Sequence, residues 1–231
     1  SGLALAMRSA AYAVQGNHAA ARSDRDNALG LVPLQDPRIY NYSALASQFM
    51  GQDDFALALY DKAVALDASY APAYINRGLL YNKMGRNEEA LKNYSRAIAL
   101  HPGYSAAWYN RGNLYLLTGR TSEAAADYSL ILAMYREYPD ALEARGLAYA
   151  LEENWRLAEA DFLAAISLTP QAGSPRFSLA QLYEKQGDRD KALAQYRLAN
   201  ERLATIDDAQ ARQKISLRLG GDWSAMKEWV L

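Results

Sequence analysis

The apolar positions of this chain follow the helical period, and the same pattern returns every 34 residues. Within one repeat, apolar or small residues fall at positions 4, 8 and 11 and again at positions 20, 24 and 27. Each set lies on one face of a helix with about 3.6 residues per turn. Each repeat therefore predicts two helices, helix A over about positions 2–14 and helix B over about positions 18–31. A period of about 20–50 residues is typical of a solenoid.

Six repeats follow one another from Gly2 to residue 206, and the chain is predicted to be a single domain, 1–231. The predicted repeats cover 2–36, 37–70, 71–104, 105–138, 139–172 and 173–206, with a C-terminal cap over 207–231. Within that cap, the pattern predicts a helix over 207–219 and a shorter one over 222–230. The shorter helix would place on one apolar face Trp223, Met226 and either Trp229 or Val230.

Small residues mark two positions of the repeat. Position 8 is glycine in three repeats, at Gly78, Gly112 and Gly146. Position 20 is alanine in all six, at Ala21, Ala56, Ala90, Ala124, Ala158 and Ala192. A glycine inside a helix costs about 1 kcal/mol relative to alanine. We therefore predict that the two helix backbones cross at position 8 too closely for a side chain.

The connection between helices A and B has its own signature. Glycine at position 15 predicts a left-handed residue that ends helix A, and it occurs at Gly51, Gly85, Gly119 and Gly187. Two positions later, short polar side chains are predicted to be the N-caps of helix B, and these are Asp53, Asn87 and Thr121.

These residues resemble the tetratricopeptide repeat, whose pattern reads W-x2-L-G-x2-Y…A-x3-F…A…P. The third repeat carries it as Tyr74, Gly78, Tyr81, Ala90, Tyr94, Ala97 and Pro102, and the fourth as Trp108, Gly112, Tyr115, Ala124 and Tyr128. The resemblance covers residues 2–206. It implies an all-α, right-handed superhelical solenoid of six helix-turn-helix repeats with a C-terminal capping helix. The family's position-7 leucine is replaced here by Arg77, Arg111 and Arg145.

The residue at position 7 varies together with the residue at position 23. Arginine at position 7 is accompanied by Asp or Asn at position 23 in the pairs Arg8 and Asp24, Arg77 and Asn93, Arg111 and Asp127, and Arg145 and Asp161. The two repeats without that arginine have Leu59 and Gln195 at position 23. We predict a salt bridge or hydrogen bond that joins helix A to helix B of the same repeat. The alternative is a ladder of arginines for acidic ligands.

The resemblance also implies that the A helices line a concave groove, with positions 2, 5, 6, 9, 12 and 13 facing inward. The candidate peptide-binding residues on these positions are Asn41, Tyr42, Phe49, Asn76, Asn82, Tyr109, Asn110 and Asn113. An amide offers a donor and an acceptor side by side, so it can pair with a peptide backbone without reading its sequence. Similar asparagine ladders hold extended peptides in some tetratricopeptide superhelices. The alternative is that these positions are ordinary solvated ones.

Composition narrows the function without naming a partner. The formal net charge of −1 gives no global field that would attract nucleic acid or an anionic membrane. The absence of cysteine excludes disulfides, thiolate metal sites and a cysteine nucleophile. The two histidines, His18 and His101, lie in different repeats without metal-ligand spacing. We therefore expect no enzyme activity, no metal and no cofactor.

The leading prediction is a non-catalytic scaffold for protein–protein interaction that binds an extended peptide or a partner helix in the groove. One alternative is a structural or self-assembly module, which would pack through the array or its Trp223 and Trp229 tail. Another is an adaptor domain excised from a larger assembly or secretion machine. The expected partner is a protein or peptide, without nucleic-acid binding or membrane insertion. The compartment stays open between the cytoplasm and an exported protein whose leader has been removed.

Overall fold

The computed structural model describes residues 1–31, 35–206 and 208–223, and it divides the chain into two compact units. We call residues 1–114 the N-terminal unit and residues 115–231 the C-terminal unit. Helices joined by short connections make up the described part of both units, which contains no strand. The predicted all-α helical repeat fold is therefore confirmed.

In the N-terminal unit, helices of 12 to 14 residues alternate as A and B helices. They are α1 (Gly2–Val14), α2 (His18–Leu29), α3 (Pro37–Phe49), α4 (Asp53–Leu66), α5 (Ala71–Lys83), α6 (Asn87–Leu100) and α7 (Ser105–Leu117), of which α7 belongs to this unit up to Leu114. Each A helix packs against the B helix that follows it, in the pairs α1–α2, α3–α4 and α5–α6. The A helices α1, α3 and α5 also pack in succession.

The C-terminal unit continues the same alternation. Its helices are α8 (Thr121–Met134), α9 (Pro139–Leu151), α10 (Trp155–Leu168), α11 (Ser174–Lys185), α12 (Arg189–Asn200) and α13 (Ala209–Leu219), with a short 3₁₀ helix at Leu203–Thr205. The pairs α9–α10 and α11–α12 pack together, and α13 packs on α12. The further helix that the sequence predicts after the sixth repeat is therefore present as α13.

Helix A ends in the left-handed conformation at every glycine that the sequence assigned to this role. Gly51, Gly85, Gly119 and Gly187 have φ angles between 73° and 82°. In the fifth repeat the same position holds Glu153, which adopts φ 58° without being a glycine. The turn geometry therefore persists even where the residue that suits it is missing.

The predicted N-caps of helix B are wrong by one residue. Asp53, Asn87 and Thr121 are the first residues of their helices, and the cap positions are the preceding ones. The reason is that the carbonyl at position 16 already accepts the first helical hydrogen bond, as Ala90 N–H donates to Arg86. Position 16 is arginine in two adjacent repeats. In the first of them, Cζ of Arg86 lies 4.5 Å from the centroid of the Tyr81 ring.

Glycine at position 8 makes room for a ring, and the predicted backbone crossing is wrong. A Cβ added at Gly78 would lie 2.7 Å from Cε1 of Tyr94, and one at Gly146 would lie 2.7 Å from Cε1 of Phe162. Both rings stand at position 24 of the same repeat and are fully buried. The missing side chain at position 8 therefore leaves the space that the aromatic ring at position 24 fills.

The position-7 arginines join helix A to helix B as predicted. Arg8 pairs with Asp24 at 2.5 Å, Arg77 Nε donates to Asn93 Oδ1 at 2.8 Å, and Arg145 pairs with Asp161 at 2.8 Å. The fourth pair, Arg111 with Asp127, has its two residues in different units and stays a prediction.

The same arginines also reach position 25 of the preceding repeat, which the sequence analysis missed. Arg77 Nη1 donates to Asp61 at 2.6 Å, Arg111 Nη1 to Ser95 at 2.9 Å, and Arg145 Nη1 to Ser129 at 3.1 Å. One guanidinium has donors enough for both contacts because it carries five N–H groups. It therefore ties helix A to the B helices on both sides.

Two almost fully buried cations attach α13 to α11. Lys214 is 1% exposed and donates to Gln181 Oε1 at 3.1 Å, and Arg218 is 0% exposed and donates to Glu184 Oε1 at 2.7 Å. Trp223 packs against the same core, and the guanidinium of Arg218 lies 5.4 Å from its ring centroid. The predicted helix over 222–230, with Met226, Trp229 and Val230, lies outside the described residues from 224 onward.

Candidate functional site

The eight predicted peptide-binding residues all lie on three A helices of the N-terminal unit. Asn41, Tyr42 and Phe49 are on α3, Asn76 and Asn82 on α5, and Tyr109, Asn110 and Asn113 on α7. We call these residues the A-helix face. The structure therefore places the candidates on equivalent elements of one unit, and their individual environments differ.

Two of the asparagines bind each other across neighbouring helices. Asn76 Nδ2 donates to Asn41 Oδ1 at 3.0 Å, and the Asn41 side chain is buried. This contact joins α3 to α5, so the amide groups contribute to packing between repeats. Two of the amide groups that were predicted to bind a ligand therefore use part of their hydrogen-bonding capacity within the protein.

Position 12 lies next to the buried aromatic ring of position 24. In the second repeat, the Tyr60 hydroxyl donates to Gln48 Oε1 at 3.1 Å. In the third repeat the corresponding side chain is Asn82, which is one methylene shorter, and the buried Tyr94 hydroxyl has no hydrogen-bond partner among the described residues. Asn82 therefore remains partly exposed on the A-helix face rather than engaged with the core.

The A-helix face combines exposed apolar side chains with polar ones. Phe49 is half exposed, and Leu79, which lies between Asn76 and Asn82 on α5 and is not itself one of the eight, is exposed as well. Tyr42, Tyr109 and Asn110 are partly exposed. Apolar side chains next to amides and phenols are a combination that suits a polypeptide ligand, which offers both apolar side chains and backbone polar groups.

The structure adds a group of tyrosines that the sequence analysis did not select. Tyr70 and Tyr104 immediately precede α5 and α7, and Tyr104 is exposed. The pKa of Tyr70 is raised to about 12 by burial, with further contributions from the nearby Tyr42 and Tyr104 and an opposing one from Arg38.

A signal for Tyr70 and Tyr104 was available in the sequence. Tyr70, Tyr104 and Tyr138 are spaced by 34 residues and occupy position 34 of successive repeats. The position falls in the connection before helix A, outside the helical faces that follow the 3.6-residue period.

Within 1–31, 35–206 and 208–223, no three His, Cys, Asp or Glu side chains come together in a way that could hold a metal ion. In the same described ranges, none of the helices combines the length and apolar character needed to cross a membrane.

Comparison with protein families identifies the repeats. Two tetratricopeptide repeat family models match the sequence, one over residues 75–141 and one over residues 175–202. The first match begins within α5 and includes α6, α7 and α8, and the second begins within α11 and includes α12. No curated protein matches the sequence.

Solved structures share the fold at low sequence identity. A tetratricopeptide repeat protein from Parabacteroides merdae has a TM-score of 0.75 and 21% identity, with 92% of this chain and 84% of that chain covered. PilF from Pseudomonas aeruginosa has a TM-score of 0.74 and 21% identity, covering 92% of this chain and 95% of that chain. YrrB, described as having an unusual peptide-binding site, has a TM-score of 0.62 and 21% identity over 79% of this chain and 92% of its own.

The family matches, the helix pairs and the structural neighbours agree with one another. The identities near 21% carry the fold alone, whereas the family models recognise the repeat itself. The chain is a tetratricopeptide repeat protein.

Proposed function

We propose that this protein is a non-catalytic scaffold that binds an extended peptide or a partner helix on its A-helix face. Tetratricopeptide repeats in general serve protein–protein interaction, and the family matches support that coarser role here. The single observation that carries the finer proposal is the co-location of all eight candidates on α3, α5 and α7 of one unit.

The physical support comes from what these side chains leave available. The Asn41–Asn76 bond uses one N–H of Asn76 and leaves a second N–H on the same amide, which carries two donors. The exposed ring of Phe49 and the exposed Leu79 supply apolar area that a ligand side chain would cover. A peptide on this face would gain hydrogen bonds and apolar contact together.

A crosslinking pull-down from native lysate, read by mass spectrometry, tests this proposal. The variant Asn76→Ala/Asn110→Ala should lose the captured partners of the wild-type protein by at least about tenfold, because two amide contacts are removed. Circular dichroism and thermal melting establish that the variant is folded.

The matched control carries two exposed asparagines away from this face. Asn27 on α2 and Asn200 on α12 are exposed residues of B helices. The variant Asn27→Ala/Asn200→Ala should capture the same partners as the wild type. Unchanged capture by folded Asn76→Ala/Asn110→Ala protein would reject the A-helix face as the binding site.

Self-association through the C-terminal tail stays a prediction. Trp223 packs against the core of its own unit, and Arg189 and Arg218 each lie 5.4 Å from its ring centroid. This side chain is therefore engaged within the unit. Light scattering over a range of protein concentrations measures the oligomeric state directly.

A further inference from the structure

We propose that the exposed side of α1 is a second interaction surface, which binds an amphipathic helix of a partner protein that carries a carboxylate or hydroxyl group for Arg8. We call Ala4, Met7, Arg8 and Ala11 the α1 surface. This surface goes beyond the proposed function, because none of the four residues belongs to the A-helix face. The partner helix takes the place that the preceding helix B occupies in the later repeats.

The first argument is that the positions of the α1 surface are interior in the later repeats. Ala4 and Ala11 stand at positions 3 and 10 of the repeat, and both are exposed. In α3, α5 and α7 the same two positions are buried, and they hold Ile39, Ala46, Ala73, Leu80, Ala107 and Leu114. Met7, at position 6, is 48% exposed, whereas the residues at this position in α3, α5 and α7 are only partly exposed. α1 therefore leaves uncovered a side that the later A helices bury.

The second argument is the kind of element that covers this side in the later repeats. α3 packs against α1 and α2, and α5 packs against α3 and α4, so each of these A helices is covered by the helix pair of the repeat before it. α1 packs against α2 and α3, which both follow it in the chain. Because the repeats of a solenoid contact their neighbours through equivalent surfaces, a helix is the element that fits the α1 surface.

The third argument is a hydrogen-bond donor of Arg8. In three later repeats, Nη1 of the position-7 arginine donates to position 25 of the preceding helix B, where the acceptors are Asp61, Ser95 and Ser129. Arg8 uses Nε and Nη2 to bind Asp24, and its Nη1 has no acceptor among the described residues. The Arg8 side chain is 57% exposed, compared with 16% for Arg77. A helix with a carboxylate or hydroxyl group opposite Arg8 would complete the contact that the later repeats make.

The fourth argument decides between a partner helix and a second copy of this chain. Arg8 is the one charged side chain of α1, which contains no carboxylate. Two copies joined through α1 would therefore bring two guanidinium groups together, and like charges across an interface cost free energy. A helix of different sequence, with an acceptor opposite Arg8, is the occupant that complements this surface.

The test is a fluorescence-anisotropy titration of the full chain with a labelled peptide of α4, Asp53–Leu66, capped at both ends. This helix is the probe because it provides Asp61 to Arg77 within the protein. Isolated helices of this length are marginal in water, so a hydrocarbon staple joins positions 58 and 62, which are both exposed in the protein. We expect saturable binding. Absence of binding by a peptide that circular dichroism shows to be helical would overturn the proposal.

Variants of the peptide test the chemistry of the contact. The peptide with Asp61→Ala should bind about tenfold more weakly or worse, because Arg8 loses a charged acceptor. The peptide with Asp61→Ser copies the acceptor of two other repeats and should bind with intermediate affinity. Equal affinity of the Asp61 and Asp61→Ala peptides would overturn the assignment of an acceptor for Arg8.

A variant of the protein tests the place of binding. Ala11→Glu should weaken binding of the α4 peptide by at least about tenfold, because it introduces a larger, charged side chain into the centre of an apolar contact. Ala19→Glu is the matched control, because position 18 of the repeat is exposed in α2 and also at Asp54 and Glu88. This control should bind the peptide as the wild type does. Wild-type affinity in folded Ala11→Glu protein would overturn the proposal.

Light scattering of the same proteins tests the second copy as the occupant. We expect the wild type and Ala11→Glu to have the same molar mass over a range of concentrations. A dimer that Ala11→Glu dissociates would assign the α1 surface to a second copy and overturn the proposal. The Asn76→Ala/Asn110→Ala variant should bind the α4 peptide as the wild type does, so failure of this inference and failure of the proposed function are seen separately.

Discussion

At the scale of single residues, the turn between helices A and B adopts a left-handed backbone whichever residue occupies it. Five glycines take this conformation with φ between 73° and 82°, at Gly16, Gly51, Gly85, Gly119 and Gly187. Glu153 takes it with φ 58° and carries a side chain that disfavours it. The packing of the flanking helices therefore imposes the backbone on this residue.

Glu153→Gly should raise the free energy of unfolding by about 1 kcal/mol, because it relieves the left-handed strain of a residue with a Cβ. Chemical denaturation measures the change. Glu153→Ala is the matched control, since it removes the exposed carboxylate and keeps the Cβ, and it should give no such gain. Equal stabilisation by both substitutions would show that the charge, and not the backbone, is responsible.

A second residue-scale feature is the length of the side chain at position 12. Gln48 accepts a hydrogen bond from Tyr60, and Glu184 accepts one from Tyr196 at 2.5 Å. Asn82 is too short to do so, and the buried Tyr94 hydroxyl has no partner among the described residues. Burial without a partner is costly for a hydroxyl.

Asn82→Gln should therefore raise the free energy of unfolding by about 1 kcal/mol, through a new hydrogen bond to Tyr94. Thermal and chemical denaturation of a double-mutant cycle check it. In the Tyr94→Phe background, which has no hydroxyl, the same substitution should bring no gain. A gain that persists in that background would contradict the assignment.

At the scale of helices, polar side chains join helix A to its neighbouring B helices, and they also join one A helix to the next. The position-7 arginines tie helix A to helix B, and in Arg145 the contact with Asp161 is supplemented by one with Ser129. A carboxylate, Glu143 on α9, accepts hydrogen bonds from Ser174 and Ser178 on α11, at 2.6 and 2.8 Å. Helix packing in this chain therefore depends on directed bonds as well as on small apolar residues.

Arg145→Met should lower the free energy of unfolding by about 2 kcal/mol, between the values for exposed and buried ion pairs. The Arg145 side chain is 22% exposed, whereas the Arg8 side chain is 57% exposed. Arg8→Met is therefore the matched control and should have a smaller effect. Chemical denaturation of both variants makes the comparison, and a larger loss at Arg8 would refute the burial argument.

Glu143→Gln should change how stability depends on pH. Burial raises the pKa of Glu143, the hydroxyls of Ser174 and Ser178 oppose the rise, and Asp140 adds to it. Because the folded state then binds the proton more tightly than the unfolded state, the wild type gains stability as pH falls through the folded pKa. The gain is complete below the unfolded value of about 4.3.

The variant has no carboxyl group at position 143 and so lacks this titration. We expect its free energy of unfolding to exceed that of the wild type most at neutral pH, where the buried carboxylate of the wild type is charged, and the difference should shrink in acid. Chemical denaturation at neutral pH and near pH 4 measures the two differences. The amide retains an acceptor for the serine hydroxyls, which makes it a conservative replacement. A difference that stays constant with pH would show that the carboxyl group titrates alike in both states.

At the scale of the molecule, the last repeat needs a cover because an array of repeats ends in an apolar surface. α13 supplies it in the C-terminal unit, with Ile215 and Ala211 buried in the core that contains Leu179 and Leu182. The cations Lys214 and Arg218 add bonds to α11. Capping is thus both apolar and electrostatic.

A chain that ends at Thr205 should lose at least about 3 kcal/mol of stability, because it gives up the burial of Ile206, Ile215 and their neighbours. It should also aggregate at lower concentration, since the surface beneath α13 becomes exposed. Differential scanning calorimetry and light scattering measure the two effects. The variant Glu184→Gln keeps α13 in the chain. It should lower the free energy of unfolding by about 3 kcal/mol, because the buried cations Lys214 and Arg218 of α13 lose their carboxylate partner. A truncated chain as stable and soluble as the full one would remove α13 from the role of cap.

The amino-acid sequence by itself determined the repeat, the alternation of helices, the left-handed turns and three of the arginine pairs. These follow from local rules, because a 34-residue period and a 3.6-residue helical period are both visible in one dimension. Arg25 and Ser47 show the limit of such rules. Each stands at a position where most repeats have an aromatic residue. The two replacements meet in the structure, where Arg25 Nη1 of one repeat donates to Ser47 Oγ of the next at 3.1 Å.

Only the tertiary structure decided which side chains meet across helices. It replaced the predicted backbone crossing at Gly78 by contact with the Tyr94 ring, and it showed that Asn41 and Asn76 bond to each other. It also showed that Tyr42 and Tyr104 add to the raised pKa of Tyr70, whose main cause is burial. The physical reason is that such contacts depend on the rotation and separation of packed helices, which the periodicity of a single helix does not contain.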